Sequence, residues 1–391
     1  MTPQDEVAAR EVATGEVAAG KVVAGEVAQD LPLREELRGV EPYGAPQLDV
    51  PVSLNVNENP YGPSPALVAE IGAAVVEAAA HLNRYPDREA LGLRSALAAY
   101  LGHGLGPDQV WAANGSNEVM IQLLQAFGGP GRTMMIFPPT YSMYTEYARS
   151  THTTVVLGPR SDDFSLDPAR VAAAIRDASP DLVVLASPNN PTGTSVPPAV
   201  LDAVLAAAPG IVVVDEAYAE FARPGSPTAL ARLPGNRRLV VTRTMSKAFA
   251  LAGARVGYAA AAAEVVDALR VVRLPYHLSA VTQVVAETAL SHASELLAQV
   301  DLLADERDLL VGWLREQGLT VAESDANFVF VGRFADRDKL WRDLLDAGVL
   351  VRATGPPGWL RVSVGTPSEN RAFRAALAAA LPTTERQEAS G

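Results

Sequence analysis

"DLVVLASPNNPTGTSVPPAVLDAVLAAAPGIVVVDEAY", residues 181–218, holds two short apolar runs with a helical pattern between them. DLVVLAS (181–187) and IVVVDEA (211–217) are rich in Val and lack polar alternation, so each predicts a strand buried on both faces. The segment 197–207, opened by Pro197 and Pro198, predicts the intervening helix. On either side the same alternation recurs. VWAANG (110–115), TMMIF (133–137), TTVVLG (153–158), RLVVTR (238–243) and VGYAAA (256–261) predict further strands, and 116–127 and 168–177 further helices. The pattern predicts an α/β fold whose large domain has a mainly parallel central sheet flanked by helices. Ligands of such sheets bind beyond the carboxyl ends of the strands.

After residue 275 the texture changes. A helical stretch over 279–317 leads to LTVAES (319–324), NFVFVG (327–332), an amphipathic segment 336–347, VLVRAT (349–354), WLRVSVG (359–365) and a last helix from Pro367. These predict a smaller α+β domain over 276–382, joined by the upstream segment 31–60, with the large domain over 61–275. Residues 6–30 read EVAAR EVATG EVAAG KVVAG EVAQD, five copies of a five-residue unit. One strong apolar position in five builds no packed face, so 1–30 is expected to be a disordered extension and 383–391 a loose tail.

Composition narrows the function classes. The chain has 391 residues, 48% hydrophobic and 20% charged, with no Cys. Disulfides, thiolate metal sites and Cys nucleophiles are excluded. The five His (81, 103, 152, 277 and 292) have no zinc-helix spacing, so no metal site is expected. A formal charge of −13 argues against nucleic acid or an anionic membrane as the main partner. No targeting signal or membrane-length apolar run is visible, and a cytoplasmic protein is expected. Neither G-x-G-x-x-G opening a helix nor G-x-x-x-x-G-K-[ST] occurs, which removes the dinucleotide and P-loop readings.

Lysine usage points to a site. Lys and Arg together number 32, yet the only lysines are Lys21, Lys247 and Lys339. Lys247 lies in RTMSKAFALAGARVGY (243–258), among hydroxyls and small residues at a strand-to-helix transition. An amine that must lose its proton and attack a carbonyl has to be Lys, because a guanidinium stays charged. The structural alternative is a surface Lys with its stem on apolar neighbours. Asp215 ends a very apolar strand, where a carboxylate is costly without a partner; taken alone, a helix cap is the structural alternative. NGSNEV (114–119) opens a helix whose free N–H groups suit a phosphate, and Thr244, Ser246 and Arg255 add two hydroxyls and a guanidinium. Tyr141 in FPPTYSMY (137–144) could stack on a flat ligand or simply fill the core. Amine, carboxylate, stacking ring and phosphate cup together describe a site for pyridoxal 5′-phosphate.

These segments carry a resemblance. LNVNENPYGPSP (54–65), RYPD (84–87), NGSNE, FPPTYSMY, SPNNPTG (187–193), VVDEAY (213–218), RTMSKAFALAGARVGY, RLPYHLSAVTQ (273–283), DANFVFV (325–331) and WLRVSVGT (359–366) resemble the fold-type I, pyridoxal-phosphate-dependent aminotransferases. NENPYGPSP and RLPYHLSAVTQ resemble more narrowly the histidinol-phosphate aminotransferase branch. The resemblance implies that Lys247 carries the cofactor, that Asp215 pairs with the ring nitrogen, and that Tyr218 and Asn190 bond the ring oxygen. It places Tyr141 on the ring. It assigns Ser116, Asn117, Thr244, Ser246 and Arg255 to the cofactor phosphate, joined by Tyr61 from the neighbouring subunit of a homodimer. Arg361 is implied as the α-carboxylate clamp, and Tyr43 and Arg352 match positions for the substrate's own phosphate.

The implied reaction exchanges the amino group of L-histidinol phosphate with 2-oxoglutarate, giving imidazole-acetol phosphate and glutamate. An aromatic amino-acid aminotransferase could use the same apparatus, and a phosphothreonine decarboxylase shares many of the motifs. A cofactor-sensing regulator would need a DNA-binding module, which the acidic repeat cannot supply.

Overall fold

The computed structural model describes residues 31–381. The pentapeptide repeat and the tail after 381 lie outside the described residues. The strands are β1 (Val52–Ser53), β2 (Val110–Ala113), β3 (Thr133–Ile136), β4 (Thr154–Leu157), β5 (Leu182–Ala186), β6 (Ile211–Asp215), β7 (Leu239–Thr244) and β8 (Gly257–Ala261), followed by β9 (Thr320–Val321), β10 (Phe328–Gly332), β11 (Val349–Leu350), β12 (Arg352–Ala353) and β13 (Trp359–Ser363). The helices are α1 (Pro65–Ala79), α2 (Leu91–Leu101), α3 (Ser116–Phe127), α4 (Met143–Thr151), α5 (Pro168–Ala178), α6 (Pro198–Ala207), α7 (Ala263–Val272), α8 (Ala280–Ser291), α9 (Ala293–Glu316), α10 (Arg337–Asp346) and α11 (Pro367–Ala380).

Seven strands form one sheet in the order β2-β8-β7-β6-β5-β3-β4. Strands β3 to β7 run parallel, while β8 is antiparallel to both β7 and β2. Every residue of β5 and β6 is buried, which is why these runs show no polar alternation. Alternate residues still serve opposite layers. Val183 and Leu185 join the core with α2, α5, α6, α8 and the start of α9, whereas Leu182 and Val184 join that with α3, α4 and α7. The flanking helices carry local start signals. Ser64 accepts from Leu67 N, Asp167 from Arg170 N and Ser279 from Thr282 N, each as an N-cap.

A second sheet, β12-β13-β10-β9, is antiparallel throughout. The end of α9, with α10 and α11, supplies its core through Leu310, Leu314, Leu340, Leu344, Phe373 and Leu377. The chain upstream of α1 is tied to this lobe: β1 pairs parallel with β11, Val52 opposite Val349. The helical stretch 279–317 is two helices, not one, broken at His292 (φ −108°, ψ 20°), whose ring meets Glu70 of α1.

Candidate active site

The carboxyl ends of β5, β6 and β7 open into a cavity of about 250 Å³, and the second sheet and the segment before α1 complete its wall. Lys247, Asp215, Tyr218, Ser116, Asn117, Tyr141, Asn190, Thr244, Ser246, Arg255, Tyr43, Arg352 and Arg361 all line it. Tyr61 does not: it is half-buried against the large core, near Glu306 and Glu369.

Lys247 follows β7 on a tight turn, and its Nζ donates to Val56 O at 3.1 Å. Burial, and then the positive charges of Arg361 and Arg255, lower its pKa to about 8, against a partial counter-effect of Glu58. A substantial neutral fraction is therefore present near pH 8, as a nucleophilic amine requires. Asp215, at the end of β6, is 7% exposed. Burial pushes its carboxyl above the ordinary range, opposed by hydrogen bonds from Tyr144 Oη to Oδ2 (2.8 Å) and from Ala217 N to Oδ1 (3.2 Å). Tyr144 is fully buried on α4, and because its partner lies 71 residues away in the chain, nothing in its local sequence marks this contact.

The anion cup is built from backbone. Gly115 precedes α3 with φ +84°, and a Cβ there would lie 2.6 Å from Arg255 Nη2. A Cβ on Gly257 of β8 would lie 2.0 Å from Ser116 N. Only glycines let β8 and the start of α3 approach this closely, presenting the first-turn N–H groups and helix dipole beside Arg255. Thr244 Oγ1 donates to Val256 O at 3.1 Å, accepts from Ser246 N at 3.1 Å and lies 3.0 Å from Ser246 Oγ, so both hydroxyls are held in the cavity wall. Asn117 Oδ1 accepts from Tyr147 Oη at 2.7 Å.

The opposite wall carries Arg352 and Arg361, which face each other in register across β12 and β13. Like charges in that position repel unless an anion lies between them. Arg361 is 8% exposed; its Nη1 donates to Asn190 Oδ1 (2.7 Å) and its Nη2 to Asn55 O (2.6 Å), while its buried Nε has no partner among the described residues. Among the described residues neither arginine has a carboxylate partner. Burial without one lowers the Arg361 pKa, and the proximity of Arg352 lowers it further. Arg352 Nη2 donates to Gly44 O (3.1 Å), and Ser142 Oγ donates to Tyr43 Oη (3.3 Å), which brings Tyr43 to the mouth.

SPNNPTG is fixed by its own side chains. Asn189 Nδ2 donates to Pro139 O (3.0 Å) and Thr192 Oγ1 (2.8 Å), and its Oδ1 accepts from Thr140 Oγ1 (2.8 Å). That leaves Asn190 facing the cavity. The donor set fits the group that the resemblance implies: an amine for an aldehyde, a buried carboxylate for a ring nitrogen, and hydroxyls, guanidinium and helix N–H groups for a phosphate.

Known proteins place this geometry. The model of the family "Aminotransferase class I and II" matches residues 50–377. The histidinol-phosphate aminotransferase of Thermobifida fusca is 61% identical over 348 residues, 89% of this chain and 95% of that protein. That of Frankia casuarinae is 59% identical over 362 residues, 90% of this chain and 91% of that one. Among solved structures, histidinol-phosphate aminotransferase from Sinorhizobium meliloti in complex with pyridoxal-5′-phosphate superposes with a TM-score of 0.77 at 25% identity, covering 94% of this chain and 98% of that one. An aspartate aminotransferase mutant of Thermus thermophilus reaches 0.75 at 26% identity, covering 89% and 99%. A match over most of its length, on a fold that gathers amine, carboxylate and anion cup at one strand edge, makes this chain a member of the class I and II aminotransferase family.

Proposed function

We propose that the chain exchanges the amino group of L-histidinol phosphate with 2-oxoglutarate, using pyridoxal 5′-phosphate and yielding imidazole-acetol phosphate and glutamate. One observation carries the substrate choice: Arg352 and Arg361 stand opposite each other on the cavity wall, with no carboxylate partner among the described residues. Two unpaired cations suit a substrate pair that presents a phosphate in one half-reaction and two carboxylates in the other. Phenylalanine offers a carboxylate where histidinol phosphate offers a doubly charged phosphate, which has oxygens enough for both guanidinium groups. The naming of the T. fusca and F. casuarinae relatives supports the same choice.

Each residue then has a task. The bound cofactor supplies an aldehyde that receives the substrate amine and a ring that takes up the electrons released at Cα. Ser116, Asn117, Thr244, Ser246 and Arg255 hold its phosphate. Asp215, desolvated and in need of a cation, holds the ring nitrogen protonated. Tyr141 stacks on the ring, and Tyr218 donates to the ring oxygen together with the amide NH₂ of Asn190, whose carbonyl oxygen is already engaged by Arg361. Lys247, as a free neutral amine, would take the proton from substrate Cα and hold it for return, acid–base work typically worth roughly 10²–10⁴-fold. Arg361 clamps the α-carboxylate of glutamate, and Tyr43 with Arg352 meets the substrate phosphate.

Tyr61, outside the cavity of its own chain, reaches the cofactor phosphate of a second copy in a homodimer. Large apolar side chains left exposed on the surface, among them Val76 (73%), Tyr85 (79%) and Leu274 (75%), support such a contact. The enzyme is placed in the cytoplasm, where phosphorylated metabolites are retained by their charge. The test is a coupled assay with 2-oxoglutarate, comparing kcat/KM for histidinol phosphate and phenylalanine. A preference for histidinol phosphate is expected; a preference for phenylalanine contradicts the reading.

A further inference from the structure

Three consecutive residues ahead of α1 touch three site residues from three separate parts of the chain. Asn55 O accepts from Arg361 Nη2 at 2.6 Å, Val56 O accepts from Lys247 Nζ at 3.1 Å, and Asn57 Nδ2 donates to Tyr218 Oη at 3.0 Å. Asn57 is 1% exposed and left-handed, with φ +56°. Asn tolerates this conformation better than most residues, but it is a sparsely populated one that the surroundings must impose.

They impose it from the C-terminal lobe. Ser363 Oγ, on β13, accepts from Asn57 N at 2.8 Å and donates to Asn57 Oδ1 at 3.0 Å. Asn327 Nδ2 donates to Asn57 O at 3.1 Å. Because the Ser363 hydrogen goes to Oδ1, the amide is oriented with Nδ2 toward Tyr218. The hydroxyl of Tyr218 therefore receives a hydrogen bond from Asn57 and keeps its own hydrogen for an acceptor in the cavity.

We propose that Asn57 is a positioning residue that sets the direction of the Tyr218 hydroxyl, linking Ser363 of the C-terminal lobe to a donor on the large domain. This rests on the reading of Tyr218 as a donor to the cofactor's ring oxygen. A chain in which Asn57 only supported the backbone would need neither the Ser363 contact to Oδ1 nor the contact to Tyr218.

The test uses the full chain and two readouts that involve no substrate: the dissociation constant of pyridoxal 5′-phosphate and the pH midpoint of the visible absorption of the loaded protein. Asn57→Gly removes the amide and keeps the positive φ without strain. It is expected to weaken binding about 3- to 10-fold, the scale of one hydrogen bond, and to raise the pH midpoint, in the direction of Tyr218→Phe. Ser363→Ala is expected to shift both readouts the same way by a smaller amount. In a Tyr218→Phe background, Asn57→Gly should change affinity by less than about twofold, since the two act through one contact. An equal loss in both backgrounds overturns the proposal, because Asn57 would then act on the backbone alone. Unchanged readouts in Asn57→Gly or in Ser363→Ala overturn it too. If Tyr218→Phe itself moves neither readout, Tyr218 is not the donor and the proposal falls with it. The substrate reading fails separately, in the assay with histidinol phosphate.

Discussion

At the scale of single residues, the chemistry turns on an amine that must be neutral when it acts. Burial, then Arg361 and Arg255, bring the Lys247 pKa down to about 8. Below that pH the ammonium cannot attack, so capture of pyridoxal 5′-phosphate by the apo chain is expected to accelerate with rising pH and level off above about 8. Rapid-mixing absorbance across pH checks this, and an ordinary lysine midpoint contradicts it. Arg361→Leu removes one of the depressing charges and should move the midpoint upward. On the facing strand, Arg352→Ala should cut kcat/KM for histidinol phosphate about 10- to 100-fold, the range for a lost charge-assisted hydrogen bond. Steady-state kinetics measure it. Lys247 and Asp215 could be read from sequence because each is a polar residue in a local setting that makes it costly. Asn57 and Tyr144 could not. The significance of Asn57 lies in a positive φ and a partner 161 residues distant, and that of Tyr144 in a hydrogen bond across α4 to β6. Nothing local in either stretch marks those contacts.

At the scale of elements, the anion cup depends on how closely β8 approaches the first turn of α3. Gly257→Ala would set a methyl 2.0 Å from Ser116 N, so strand and helix must part. A stability loss of about 1–3 kcal/mol is expected, the usual cost of overpacking, together with weaker cofactor binding. Chemical denaturation of the apo chain measures the first and absorbance titration the second; an unchanged affinity shows that the cup lies elsewhere. The central strands were legible because burial on both faces removes polar alternation from their sequences. Their direction was less so: β8 is as apolar as β7, yet runs antiparallel to it, since direction is set by the short connection over 245–256. The break at His292 was hidden for a related reason. Helical residues continue on both sides, and the residue at the break bonds across to α1, a tertiary contact.

At the scale of the whole molecule, Tyr61 sits outside the cavity its motif belongs to, and several large apolar side chains are exposed on the surface. A homodimer accounts for both. Sedimentation should give twice the mass of 41.1 kDa at working concentrations, and Tyr61→Phe should weaken cofactor binding. A monomer that persists at high concentration contradicts the role of Tyr61. The central claim, that one lysine at the edge of the large sheet attaches the cofactor, is open to a direct measurement because lysines are so few. Borohydride reduction of the loaded protein followed by peptide mapping should place a pyridoxyl group on the peptide containing Lys247. A label on Lys21 or Lys339, or no label on freshly reconstituted protein, contradicts the account.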